Sequence, residues 1–223
     1  FGGIAPVSAG GDSIGGAIVV ATAPPVFAQP GQDTLLSGQV GAFYRSNGHG
    51  RGANVSATVA NENLSLRYTG ASARADNYEA AADFKTGLVP TATVRVPGSR
   101  EVGSSQYQSN NQSIDLAWRN GNHVLQAKVG NQVIPFQGFP NQRMDMTRNA
   151  SEHGILRYDG QFDWGKLQAR AYSEHTRHTM NFLENKLRDA TSKGMPMDTE
   201  GTTVGGALVA EWVLGADLAL RAG

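Results

Sequence analysis

Ile114-Asp115-Leu116-Ala117-Trp118-Arg119-Asn120-Gly121-Asn122-His123-Val124-Leu125-Gln126-Ala127-Lys128-Val129 alternates apolar and polar residues on both sides of an Asn-Gly-Asn turn. On extended backbone successive side chains point to opposite faces, so each arm carries one apolar face, and the turn joins the arms as a hairpin. The pattern continues outward. Leu64, Leu66 and Tyr68 alternate with Ser65, Arg67 and Thr69 after the turn at Asn61-Glu62-Asn63. Upstream, Leu36, Gly38, Val40, Ala42 and Tyr44 form one such run, and Val55, Ala57 and Val59 another. Downstream, Leu156 and Tyr158 lead to a turn at Asp163-Trp164-Gly165, and Leu167, Ala169 and Ala171 alternate with Gln168, Arg170 and Tyr172. Val204, Gly206, Leu208, Ala210 and Trp212 complete the series before a turn near Gly215.

The connections divide into two classes. Short turns fall near Asn61, Asn120, Trp164 and Gly215, whereas longer connections span Ala80 to Gly103, Pro135 to Ala150 and Leu183 to Thr199, with a shorter loop near Gly48. A β-sandwich has no reason to keep its long loops on one side, but an outer-membrane barrel has short periplasmic turns and long external loops. Trp118, Trp164 and Trp212 all lie beside short turns, where a barrel places its interfacial aromatic girdle. The expected fold is therefore all-β, an antiparallel up-and-down transmembrane β-barrel. The chain supplies eight of its strands and the start of a ninth.

Composition agrees. The 223 residues carry 19 Lys and Arg against 19 Asp and Glu, so no basic footprint for nucleic acid is present. There is no Cys, which excludes disulfides, thiolate metal sites and a cysteine nucleophile within the chain. No apolar run approaches the roughly 18 residues of a membrane helix, a rule that does not touch alternating strands. No catalytic constellation or phosphate loop stands out, and an enzyme is not expected. Residues 1–30 differ from the rest. A glycine-rich stretch and the apolar run Ala17 to Ala21, expected as a buried strand, lead into a connector with Pro24, Pro25 and Pro30. Two domains are expected, 1–30 and 31–223, and the chain reads as an internal fragment.

All five methionines fall between Pro140 and Glu200, as Met144-Asp145-Met146, His178-Thr179-Met180 and Met195-Pro196-Met197. The first and last pairs read as loop-like, and the middle one ends a strand. An i, i+2 spacing on extended backbone presents both side chains to one point. Thioether sulfur is a soft ligand suited to Cu(I), and imidazole suits copper generally. His178 and Met180 are the leading candidate ligands, one of Met144 or Met146 completes the set, and Met195 and Met197 are weaker. His49, His123, His153 and His175 are scattered and read as surface residues. Arg67, Asp115, Arg119, Arg157, Asp159 and Arg170 share the polar parity and read as an ion-pair lining, solvated or in contact with whatever fills the barrel.

The stretch Gly10-Gly11-Asp12-Ser13-Ile14-Gly15-Gly16-Ala17-Ile18-Val19-Val20 resembles the end of the plug domain in TonB-dependent outer-membrane receptors. Gly41-Ala42-Phe43-Tyr44-Arg45-Ser46-Asn47-Gly48, Pro140-Asn141-Gln142-Arg143-Met144-Asp145-Met146-Thr147, Arg177-His178-Thr179-Met180-Asn181-Phe182 and Gly194-Met195-Pro196-Met197 are similar to the branch described as copper receptors. The resemblance implies a plug inside a barrel of about 22 strands in the outer membrane of a Gram-negative bacterium. It also implies uptake energised by the TonB complex, with outer-membrane lipid, a metal or a metal chelate as partners. Residues 1–30 are then the end of the plug, and 31–223 the N-terminal part of the barrel. Copper is expected as transported ligand and no cofactor is required. Counting hairpins from the plug places all five methionines at the extracellular rim. Alternatives are a siderophore or other organic ligand, with methionines that merely pack, and a soluble β-rich adhesin or binding module.

Overall fold

The computed structural model describes residues 3, 15–16, 23–84, 87–88, 95–96, 99–182, 195–215 and 218–223. The apolar run 17–21 lies outside the described residues, as do parts of the connections after Phe182 and Gly215. The strands are β1 (Leu35–Arg45), β2 (Gly50–Ala60), β3 (Leu64–Ala75), β4 (Glu79–Phe84), β5 (Gly87–Leu88), β6 (Arg95–Val96), β7 (Ser99–Glu101), β8 (Tyr107–Asn120), β9 (His123–Gln137), β10 (Asp145–Phe162), β11 (Gly165–Asn181), β12 (Met197–Gly215) and β13 (Leu218–Ala222). Nine of them form one sheet in the order β1-β2-β3-β8-β9-β10-β11-β12-β13. Every neighbouring pair in it is antiparallel. This is the up-and-down meander that the alternation predicts, an open partial barrel with β1 and β13 as its edges.

Three connections differ from the sequence reading. The span from Ala80 to Gly103 is not one loop, because β4 pairs β7 and β5 pairs β6 within it. Strands of two to six residues are too short for a period to show. The connection expected from Pro135 to Ala150 shrinks to residues 138–144, since β9 continues to Gln137 and β10 starts at Asp145. Pro135 lacks an amide hydrogen and normally ends a strand, but here it occupies a gap in the ladder pairings on both sides. The third connection ends at Met197, where β12 begins. Met146 and Met197 therefore sit on strands and not in loops.

Paired residues share a face, so the register sorts the sheet into two surfaces. The row Leu64, Trp118, Leu125, Tyr158, Ala169 and Leu208 is apolar or aromatic across six strands. Three same-face rows nearer the long connections, Val40, Val55 and Gly70 give way to Gln112, Asn131, Glu152, His175 and Thr202. The apolar band thus crosses the sheet diagonally, as it must if the strands tilt against the plane that the band defines. Its large side chains stay uncovered: Leu36 is 81% exposed and Val204 75%. Among the described residues the buried apolar side chains are Ala28, Ala60, Val102, Ala117 and Met146, too few for a packed core. A Leu or Val side chain gains about 1.5–3 kcal/mol on leaving water, so a face of this kind requires an apolar environment.

The opposite face is polar. Arg157 pairs with Asp159 at 2.6 Å, and Gln168 donates to the same carboxylate. Asp115 accepts from Gln126 Nε2 at 2.8 and 2.9 Å, so its partner is an amide and not the arginine expected of an ion-pair lining. Arg67 Nε, though buried, has no partner.

Both ends of the sheet are secured. At the short-turn end Phe162 stacks on Trp164 at 5.2 Å, Trp164 lies 5.7 Å from Trp212, and His123 meets Phe162 edge-on. His123 Nδ1 and the Tyr158 hydroxyl share a 2.7 Å hydrogen bond. Trp118 stands on the same face, so the expected girdle is present. Arg119 makes no ion pair but touches the connector, as a plug-contacting lining would: it donates to Glu62 O at 2.7 and 3.0 Å, and its guanidinium covers the Phe27 ring at 4.4 Å. Ala28 N–H completes the join by donating to Asn61 O. At the other end Asn77 Oδ1 accepts from the amides of Ser105 and Gln106, which ties the connection after β3 to the one before β8.

Candidate functional site

The register brings three of the five methionines into one row. Met180 of β11 lies opposite Met146 of β10 on one side and Met197 of β12 on the other. Directly opposed residues hold their Cβ atoms about 4.5–5.5 Å apart, within the reach of flexible thioethers toward one point. This row belongs to the polar face, because β11 carries Met180 on the parity of Gln168 and Arg170 without interruption. It stands at the end bounded by long connections.

His178 lies two residues before Met180 on the same face, opposite Asn149 and Thr199. Its Nδ1 is 3.1 Å from Asn149 Oδ1. A carbonyl oxygen only accepts, so Nδ1 is the donor in this contact, and Nε2 is the nitrogen left for a metal. Thr199 Oγ1 donates to the His178 carbonyl at 3.2 Å and holds the backbone beside it. The amide thus orients the imidazole as outer partners orient metal-binding histidines.

Met146 is 7% exposed, and the residue that fixes it is its neighbour Asp145, 1% exposed. The Asp145 carboxylate accepts from Ser104 Oγ and from Phe139 N, both at 2.8 Å. Ser104 adopts φ 61, a left-handed conformation that costs a non-glycine residue about 1–2 kcal/mol. Gly138 packs against that bend, where a Cβ would lie 2.2 Å from Ser104 O. Thr147 is the extra residue of a bulge between Met146 and Arg148, and the bulge sets Met146 opposite Met180.

Met144 and Met195 precede β10 and β12 and stay off the ladder, Met195 being 82% exposed. The i, i+2 pairs are therefore split, each giving one strand methionine and one loop methionine. Met197 is paired directly with Met180, whereas Met144 lies just before the start of β10. Asp145, Asn149 and Ser104 have no signature in the sequence, although an acid between two methionines was visible. Among the described residues no group of three His, Cys, Asp or Glu forms a metal cluster. Any metal held here would rely on sulfur and one imidazole, a donor set that fits Cu(I) and fits poorly to hard cations.

No family model matches the chain, and no curated protein matches it in sequence. Solved structures do match in fold. The copper transporter OprC superposes with TM-score 0.64 at 21% identity, over 86% of this chain and 28% of that one. The FrpB iron transporter from Neisseria meningitidis (F3-3 variant) superposes with TM-score 0.57 at 17% identity, over 84% of this chain and 29% of that one. The fold is thus shared with part of two transporters, and the chain spans less than a third of the length of either.

Proposed function

We propose that this chain belongs to a TonB-dependent outer-membrane receptor that captures copper, as the ion or as a chelate, at its extracellular mouth. The observation that carries this reading is the row Met146, Met180 and Met197 with His178 beside it on the same face. Two or three thioethers with one imidazole make a soft donor set suited to Cu(I). The exposed apolar band supports a membrane setting, and the aromatic girdle marks its inner boundary. Residues 1–30 then form the end of the plug and the connector that Arg119 clamps, and residues 31–223 form barrel wall. Uptake is energised by the TonB complex. The fold shared with the copper transporter OprC is consistent with this cargo.

A second reading keeps the receptor and replaces copper with iron in an organic chelate. The fold likeness to the FrpB iron transporter favours it. The two part on a titration of the full-length receptor in detergent with Cu(I) and Cu(II) under controlled redox conditions. Copper capture predicts tight Cu(I) binding that is lost in a His178→Ala, Met180→Leu double variant. Binding indifferent to both residues, or no binding, would leave the iron-chelate reading.

A further inference from the structure

We propose that the polar face carries a second binding site, for a small oxyanion of the phosphate or carboxylate class, held between Arg67 of β3 and Lys128 of β9. The site belongs to the wall itself and does not depend on which cargo the methionine row takes.

Arg67, Asp115 and Lys128 stand in one row of the polar face, with the carboxylate directly opposite both cations. A carboxylate so placed would ordinarily pair with one of them, yet both Asp115 oxygens accept from Gln126 Nε2, at 2.9 and 2.8 Å. Gln126 lies opposite Ala117, one same-face row nearer the short turns, so the acid is drawn toward that end. Among the described residues no ion pair or hydrogen bond reaches Arg67 or Lys128, and Arg67 Nε is shielded from solvent as well. A buried N–H without an acceptor is costly and rare, and a bound water or ion is a usual reason for one. Here that N–H belongs to a cation, and a second cation without a partner stands two strands away in the same row.

The other side of the row suits an anion. Thr69 and Ser113 are directly opposed one same-face row nearer the long connections, and their hydroxyl oxygens lie 2.7 Å apart. One hydroxyl donates to the other, so the acceptor keeps its own hydrogen for a third partner. A cavity of about 190 Å³ opens here, bounded by Arg67, Lys128, Thr69, Ser113 and Asp115 and by Ala23 of the connector. Two positive charges against one make the lining net positive, which repels a metal cation, and an apolar group would strand the polar atoms. An oxyanion instead meets a guanidinium fork, an ammonium and a free hydroxyl, the groups that recognise phosphate and carboxylate oxygens. Thr69, Ser113 and Lys128 also border a groove of about 460 Å³ with Gln132, His153 and Glu174, so the site is reached along the polar face. The oxyanion arrives free from solution or as the acid group of a larger organic ligand.

The test titrates the full-length receptor, in phosphate-free detergent buffer, with inorganic phosphate and separately with citrate, read by calorimetry. Saturable binding of at least one anion is expected, weakened about tenfold or more in R67Q and in K128Q, because each removes a charge-assisted contact. Phosphate binding tighter than citrate assigns a free anion, and the reverse assigns the acid group of an organic ligand; both support the site. No saturable binding, or binding unchanged in R67Q and K128Q, overturns it. Loss of binding in equimolar chloride would show charge attraction without a fitted site and overturn it as well. Heat-modifiable gel migration shows whether each variant is folded, and K128Q carries the test if R67Q is not. A Met180→Leu receptor should bind the anion as before. Anion binding without Cu(I) binding would sink only the copper reading, and Cu(I) binding without anion binding would sink only this one.

Discussion

Met180 is the centre of the candidate site because only it has a methionine on both sides of the ladder. Leu has nearly its volume and lacks sulfur, so Met180→Leu should cost under about 1.5 kcal/mol in stability. Cu(I) affinity, measured by competition with a chromogenic chelator, should nevertheless fall by about tenfold or more, because a ligand is lost. The same change at Met195, off the ladder and exposed, should leave affinity unaltered. Asn149 acts through His178. Asn149→Ala removes the acceptor that orients the imidazole and should lower Cu(I) affinity about 10–100-fold while leaving folding intact. An unchanged isotherm for that variant would mean that His178 is not a ligand. Asp145→Ala is a different kind of lesion. It strands the buried Ser104 hydroxyl, at about 1–3 kcal/mol, and removes the acceptor of the Phe139 amide. It should lower the thermal midpoint and loosen Met146 together.

Single strands here are held by their ends. The β10–β11 turn depends on Gly165, whose φ of 144° lies in the region that favours glycine. A Cβ there would fall 1.9 Å from Glu211 O. Gly165→Ala should therefore reduce the yield of folded barrel, read as the heat-modifiable gel band, more than alanine at the open Gly154. Arg119 does comparable work for the connector. Its contacts with the Glu62 carbonyl and the Phe27 ring hold residues 27–31 against the short turns. Arg119→Ala should expose that segment to limited proteolysis while the sheet stays intact. Strand type was legible from period and turn chemistry alone, since Asn120-Gly121-Asn122 and Asp163-Trp164-Gly165 lie where the structure turns. Strand ends were less so. Pro135 reads as a terminator, and nothing local shows that a gap in the ladder lets β9 run past it.

The whole sheet buries almost nothing within itself, so its stability depends on what covers its faces and its two edges. Among the described residues β1 has a partner only in β2, and β13 only in β12, which leaves a row of backbone groups open on each. In lipid or detergent such groups cost several kcal/mol each when unpaired. Residues 1–223 produced alone should self-associate edge to edge, giving a broad, high-mass profile in detergent. A monodisperse monomer would require the edges to close on each other. The alternation of Leu64 to Tyr68 and of Ile114 to Val129 determined the strand type, the hairpin order and the apolar face, because a period of two is a local property of backbone and side chain. Methionine chemistry was equally visible, since residue type alone makes a ligand soft. Which methionines meet was decided by the tertiary structure. Register depends on a bulge at Thr147, on the buried Asp145–Ser104 bond and on pairing across strands distant in sequence. No local pattern encodes those distances.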